Sequence, residues 1–209
     1  MKVNDLETKI CFYGVSVHSA PFGHITVDEV LSPQSADEVL TWLESTDNWK
    51  LQDAVNHKSH GFYISDTILP DSLKNIFTGE NLANFLCKFE KIFNTKFEDK
   101  LTVGAVKHQQ GHGTVIHSDY NDKEPIDFTH RFILYLNRGW QETDGGILGL
   151  FKEKDISEIV CMIPPVHNSG VGLVISPKSY HAVSLVKNSE RYSLVFSLLS
   201  KEGKYERGI

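Results

Sequence analysis

From Ser32 to Trp49 apolar residues recur at helical spacing, with Ala36, Val39, Leu40 and Leu43 on one face. Pro33 suits a first turn and Ser35 with Glu38 matches a capping box, so the pattern predicts a helix over 32–49. A second stripe, Leu82, Phe85, Leu86, Phe89 and Phe93, predicts another over 80–93. Both stripes read as packing surfaces. From about Leu101 the period falls to two. Runs at 101–108, 114–119, 131–137, 146–151, 158–163, 171–176, 180–186 and 191–199 are rich in Val, Ile, Leu and aromatics and predict eight strands. Turn-forming clusters such as QQGHG, TDGG and SPKS separate them. Helices followed by eight strands predict an α+β chain with an all-β core, a barrel or jelly roll carrying the helices on one outer face.

Length and charge narrow the class. No linker or low-complexity stretch divides the 209 residues, so we expect a single domain over 1–209, with a helix-rich part (1–100) packed on a strand core (101–200). Lys+Arg 21 against Asp+Glu 27 gives a net charge of −6 with no basic run. The long-range field therefore offers nothing to nucleic acid or an anionic membrane, and neither is expected as a partner. Cys11, Cys87 and Cys161 are odd in number and lack C-x-x-C spacing, which argues against a disulfide framework and a cysteine zinc site and for a reducing compartment. The apolar run ICFYGVSV (10–17) follows Asp5 and Glu7, where a signal peptide needs positive charge, and is too short to span a bilayer. A soluble cytoplasmic protein is expected.

The candidate chemistry begins in HGTVIHSDY (112–120), where His117 and Asp119 stand two positions apart. With 10 His and 27 acidic residues about one His-x-acid match arises by chance. On a strand, however, residues i and i+2 share a face, so both side chains could reach one ion. His181 opens the seventh predicted strand, and in a barrel the second and seventh strands can be neighbours. Two imidazoles and a carboxylate then form one face of an octahedron with three positions open, an arrangement suited to non-haem Fe(II). Zinc accepts the same three ligands. Arg191 follows one hairpin later, and alternation puts it on the same face as Ser193, where a guanidinium and a hydroxyl could hold a dicarboxylate.

HSD (117–119), RFILYLNRGW (131–140), DGGILGLF (144–151), YHAV (180–183) and RYSL (191–194), in this order, resemble the Fe(II)/2-oxoglutarate-dependent dioxygenases of the prolyl-hydroxylase-like branch. The resemblance implies a double-stranded β-helix (jelly-roll, cupin-like) core. It implies Fe(II) held by His117, Asp119 and His181, which are also the catalytic residues. The co-substrate 2-oxoglutarate would be bound by Arg191 with Tyr135 and Ser193; O2 is the oxidant, with ascorbate as a stimulant. It further implies hydroxylation of a C–H bond of an amino acid or peptidyl residue, proline-type foremost, with release of succinate and CO2. Asp119 fills a position that halogenating relatives leave to glycine, which favours hydroxylation. Relatives often carry a tyrosine about ten residues before the first ligand, where this chain has Lys107 or His108. Position 197, where nucleic-acid demethylating relatives carry a second arginine, is Ser197. A zinc hydrolase using the same ligands, and a non-catalytic 2-oxoglutarate or small-ligand barrel, are the alternatives.

For substrate, the polar stretch QDAVNHKSHGFYIS (52–65) is read as a loop over the barrel mouth, with His57, Lys58 and His60 as candidate contacts to a substrate carboxylate. NDKEPIDF (121–128) is a second such loop. Gly145 and Gly146 are expected to serve a tight turn.

Overall fold

Ser32, not Ser35, starts the first helix. Its hydroxyl accepts from the Ser35 N–H at 3.3 Å while Pro33, which has no N–H to satisfy, takes the first turn of α1 (Pro33–Ser45). The capping residue thus lies three positions earlier than the Ser35–Glu38 match predicts. The computed structural model describes residues 10–54, 57–77, 79–120 and 128–202. Two more helices follow, α2 (Asp71–Phe77), which the periodicity is too short to announce, and α3 (Gly79–Phe93).

Six strands precede residue 100 among the described residues: β1 (Ile10–Tyr13), β2 (Ser16–His18), β3 (His24–Val27), β4 (Glu29–Leu31), β5 (Lys50–Ala54) and β6 (His57–Tyr63). Seven follow: β7 (Thr102–His108), β8 (His130–Tyr135), β9 (Leu148–Phe151), β10 (Ile159–Ile163), β11 (Gly170–Val174), β12 (Tyr180–Val183) and β13 (Arg191–Leu198). A major antiparallel sheet runs in the order β2-β3-β11-β8-β13-β7-β6-β5, and a minor one in the order β10-β9-β12. Four strands of the major sheet thus come from the part expected to be helix-rich, so the sheet extends well beyond 101–200. The predicted strand at 114–119 forms only isolated bridges, of Thr114 to His57 and of His117 to His181. The two sheets face one another as in a jelly roll and, among the described residues, remain separate ladders.

Alternation divides the major sheet's two faces. Phe132 and Leu134 of β8 and Leu194, Phe196 and Leu198 of β13 join Val39, Leu40 and Leu43 of α1, Ile76 of α2 and Phe85 and Phe89 of α3 in the main core. Phe132 lies 4.8 to 5.7 Å from the rings of Phe12, Phe85 and Phe89. The opposite face, with Tyr135, Val171 and Leu173, packs against Leu148 and Leu150 of the minor sheet. Among the described residues no helix is long and apolar enough to cross a membrane.

Candidate active site

Between the sheets lies a cavity of about 340 Å³ whose lining includes His57, His117, Asp119, His181, Arg191 and Ser193. His117 and His181 form a directly opposed pair that exchanges both backbone hydrogen bonds, His117 N–H to His181 O at 3.0 Å and His181 N–H to His117 O at 2.9 Å. Their rings come to 4.5 Å between centroids. Ser118 is anchored outside this face: its hydroxyl donates to Ser176 O at 2.6 Å and accepts from Tyr120 N–H at 3.2 Å. That leaves the residues on either side of it, His117 and Asp119, lining the cavity together. Asp119 Oδ1 lies 3.4 Å from His117 Nε2, and Oδ2 lies 3.6 Å from His181 Nε2. One ligand atom from each of the three residues fits within 4.8 Å of the others, close enough to share a metal ion.

Both rings are oriented for such a role. His117 Nδ1 meets Val115 O at 2.8 Å and His181 Nδ1 meets Ser179 O at 3.0 Å, so each Nδ1 carries its hydrogen and each Nε2 keeps a lone pair for the cavity. Burial works to raise the Asp119 carboxyl's pKa, but Arg131, with Nη1 3.1 Å from Oδ2, and the two imidazoles outweigh it and hold the group well below the usual carboxylate range. Asp119 is therefore an anion inside the protein. Its buried Oδ2 makes no aligned hydrogen bond despite the charged neighbour. Burial also works to lower both imidazoles; the Asp119 contact reverses this for His117, which is raised, but not for His181, which is lowered.

Arg191 lies deeper. Its Nε donates to Gly146 O at 2.8 Å, Nη1 comes within 3.4 Å of His108 Nδ1 and 3.5 Å of Ser193 Oγ, and its guanidinium carbon sits 5.0 Å from the centre of the Tyr135 ring. Cross-strand register puts Arg191 opposite His108, and Ser193 between Val106 and Tyr135. Gly146 is required here: its φ is +69° and a Cβ would come within 2.7 Å of Arg191 Cδ. The two glycines thus make the turn expected of them and also let the guanidinium pass. Tyr135 is fully buried, and its hydroxyl, close to Arg191, makes no well-aligned hydrogen bond among the described residues. Burial pushes its pKa up to about 12, against the pull of Arg191, so it is a neutral donor. A cation and a hydroxyl line one end of the cavity, with the Tyr135 ring packed beside the guanidinium. The donor sets fit a metal at one point and a carboxylate at the other.

Residues 103–197 match the 2OG-Fe(II) oxygenase superfamily. This segment is a 2OG-Fe(II) oxygenase domain. Solved structures with the same fold include a prolyl 4-hydroxylase from Pseudomonas putida, 18% identical with a TM-score of 0.60, covering 85% of this chain and 92% of that one. Another is a prolyl hydroxylase from Trichoplax adhaerens in complex with a hypoxia-inducible factor oxygen degradation domain peptide, 14% identical with a TM-score of 0.67, covering 86% and 84%. A third is the viral collagen prolyl hydroxylase of Paramecium bursaria Chlorella virus-1 in its 2OG complex, 15% identical with a TM-score of 0.55, covering 84% and 94%. No curated protein matches the chain.

His57, Lys58 and His60 do not act together, because they belong to β6 and not to a loop. His57 and Ser59 line the cavity, whereas Lys58 pairs with Asp53 at 3.6 Å and His60 stacks on His112 at 5.5 Å. The second loop, NDKEPIDF, falls outside the described residues except for Phe128. At the Lys107/His108 position His108 takes the cavity side, while Lys107 packs over the Trp49 ring at 5.0 Å on the other face. Burial and the neighbouring Arg191 lower His108 to about 2, so a neutral imidazole flanks the guanidinium. Arg131 is a charged cavity residue to which the sequence pattern gives no role.

Proposed function

We propose that this oxygenase hydroxylates a C–H bond of an amino acid or peptidyl residue, with proline-type substrates foremost, and converts 2-oxoglutarate and O2 to succinate and CO2. His117, Asp119 and His181 would hold Fe(II); Arg191, Tyr135 and Ser193 would hold the far carboxylate of 2-oxoglutarate. The observation that carries the reading is the buried Arg191 guanidinium beside Ser193 and the Tyr135 ring, in the same cavity as the three ligand residues. A neutral donor and a cation with no ion pair among the described residues fit a carboxylate, and the zinc-hydrolase alternative gives them nothing to bind.

Bound Fe(II) and 2-oxoglutarate would supply the oxidising power, one oxygen atom of O2 entering succinate and the other the substrate hydroxyl. The chain's own residues do the rest. Ser179 and Val115 carbonyls fix the imidazole orientations. Ile133, Leu148 and Val183 give the cavity apolar walls that limit water around the reacting groups. Ascorbate would keep the iron reduced. The bound peptide of the Trichoplax enzyme supports extending the reading to peptide substrates.

Succinate formation from 2-oxoglutarate across free amino acids and prolyl peptides, with Fe(II) or Zn(II) supplied, tests the proposal. Fe(II)-dependent succinate matched by hydroxylated product is expected. Hydrolysis under Zn(II) with no 2-oxoglutarate consumption would overturn it.

A further inference from the structure

Beyond keeping Asp119 ionised, Arg131 has no task in that reaction, yet it occupies the cavity. Three formally charged side chains line the space, Asp119, Arg131 and Arg191. One carboxylate against two guanidiniums leaves +1. If the proposed reading holds, a divalent cation raises this to +3 and the two carboxylates of 2-oxoglutarate return it to +1. A water-poor site with one unmatched positive charge favours an anionic second ligand.

The geometry says where that anion would sit. Arg131 and Tyr135 are four residues apart on the same face of β8, a separation of about 13 Å at roughly 3.3 Å per residue. Arg191 contacts Gly146, His108 and Ser193, whereas Arg131 contacts Asp119 and faces Ser197 six positions further along β13, so the two guanidiniums serve different ends of the cavity. At this second end Ser197 pairs with Arg131 in register, and both line the cavity. Phe128 supports the guanidinium, whose carbon lies 4.2 Å from the ring centre. Its Nε is buried without a hydrogen-bond partner, and Asp119, its only ion-pair partner among the described residues, is the carboxylate that the metal would claim.

We propose that Arg131 anchors the substrate's own carboxylate, and that the substrate is therefore a free amino or imino acid and not an internal residue of a peptide. The planar fork of the guanidinium suits a carboxylate, and Ser197 adds a hydroxyl donor. Held there, the substrate lies next to the Asp119 side of the metal cluster and away from the 2-oxoglutarate end. The assignment rests on the proposed function and narrows its substrate from an amino acid or peptidyl residue to the free acid.

The test uses the whole protein loaded anaerobically with Fe(II) and saturating 2-oxoglutarate, whose weak visible charge-transfer band reports loading. The band is titrated with each of the 20 free L-amino acids and with the corresponding carboxamides. At least one free acid is expected to perturb it, with its carboxamide binding at least about thirtyfold more weakly. Arg131→Leu should weaken that acid by a similar factor and the carboxamide by far less. Arg131→Lys, which keeps the charge and loses the fork, should fall between them. Equal binding of acid and carboxamide, no response to any free acid, or undiminished binding to Arg131→Leu would each overturn the assignment. Should that variant fail to load, the acid-to-carboxamide ratio of the wild type decides. Absence of the band in the wild type would remove the proposed function and this inference together; a normal band with no acid response removes this inference alone.

Discussion

Along β13, Tyr192, Leu194, Phe196 and Leu198 enter the helix-side core, while Arg191, Ser193, Val195 and Ser197 line the cavity. On β8, Phe132 and Leu134 contrast in the same way with Arg131 and Ile133, and Tyr135 on that second face is buried in the inter-sheet core. The strands are shared and the environments are opposite. On the helix side the rings of Phe12, Phe85, Phe89, Phe132 and Phe196 pack edge-on or stacked, and the face gains from apolar area and dispersion. On the cavity side Asp119 Oδ2, Arg131 Nε and Tyr135 Oη are buried without well-aligned hydrogen bonds among the described residues. Each such atom costs about 1–3 kcal/mol relative to a satisfied one, so this face lowers stability to keep groups ready for a ligand. One sheet thus separates the task of folding from the task of binding by the pleat alone.

The comparison breaks first on the helix side. Phe132→Ala should cost about 3–5 kcal/mol of unfolding free energy, measured by urea titration, because a fully buried ring contacting several others leaves a cavity. A loss under 1 kcal/mol would mean that this face does not carry the fold.

On the cavity side the expected loss is in binding. Arg191→Gln should weaken 2-oxoglutarate by about 2–5 kcal/mol, roughly thirty- to several-thousand-fold, in calorimetric titration of the Fe(II)-loaded protein. Fe(II) affinity itself should hold, since Arg191 contacts Gly146, His108, Ser193 and Tyr135 and none of the three ligand residues. Equal losses for both ligands would place Arg191 in the metal site.

A third effect separates the faces by pH. His130 is buried on the helix side against Phe93 and Phe97, and burial lowers its pKa to about 4. Between pH 6.5 and 4 the unfolded chain takes up a proton that the folded one refuses, so stability is full above 6.5 and falls as pH drops through that window, by at most about 3 kcal/mol. His130→Leu should flatten this part of the urea-midpoint profile. An identical pH profile in the variant would contradict a neutral buried imidazole.

Smallest is Tyr135→Phe. Removing one neutral hydrogen bond to 2-oxoglutarate should cost about 1 kcal/mol of its binding, and removing a buried hydroxyl without a well-aligned partner should leave stability unchanged or slightly raised. Tighter 2-oxoglutarate binding in the variant would place the carboxylate elsewhere.

How much of this was legible in the chain depends on local contrast. β7, β8 and β13 alternate between core and cavity, so period two exposed them. β5 and β6 did not show, because KLQDA and HKSHGFY are largely polar: β6 turns His57 and Ser59 to the cavity, while β5 is an exposed edge strand. The strands β1 to β4 are three or four residues each and give no period to read. At 114–119 the apolar pattern suggested a regular strand, but Ser118 ties the segment to the 176–179 turn and only bridges form. His117, Asp119 and His181 could be found because an i, i+2 pair needs one partner strand to complete it. Arg131 could not, since a lone arginine at a strand start resembles a solvated end until Asp119, 12 positions earlier, is folded against it.

The central claim is that the cavity face binds Fe(II) and 2-oxoglutarate through separate residue sets. Anaerobic addition of both to the wild type, to His181→Ala and to Arg191→Gln, followed by visible absorption, tests it directly. The account predicts a weak metal-to-ligand charge-transfer band in the wild type, none in His181→Ala at any 2-oxoglutarate concentration, and recovery of the band in Arg191→Gln when 2-oxoglutarate is raised. A full-strength band in His181→Ala, or no band in the wild type, would contradict it.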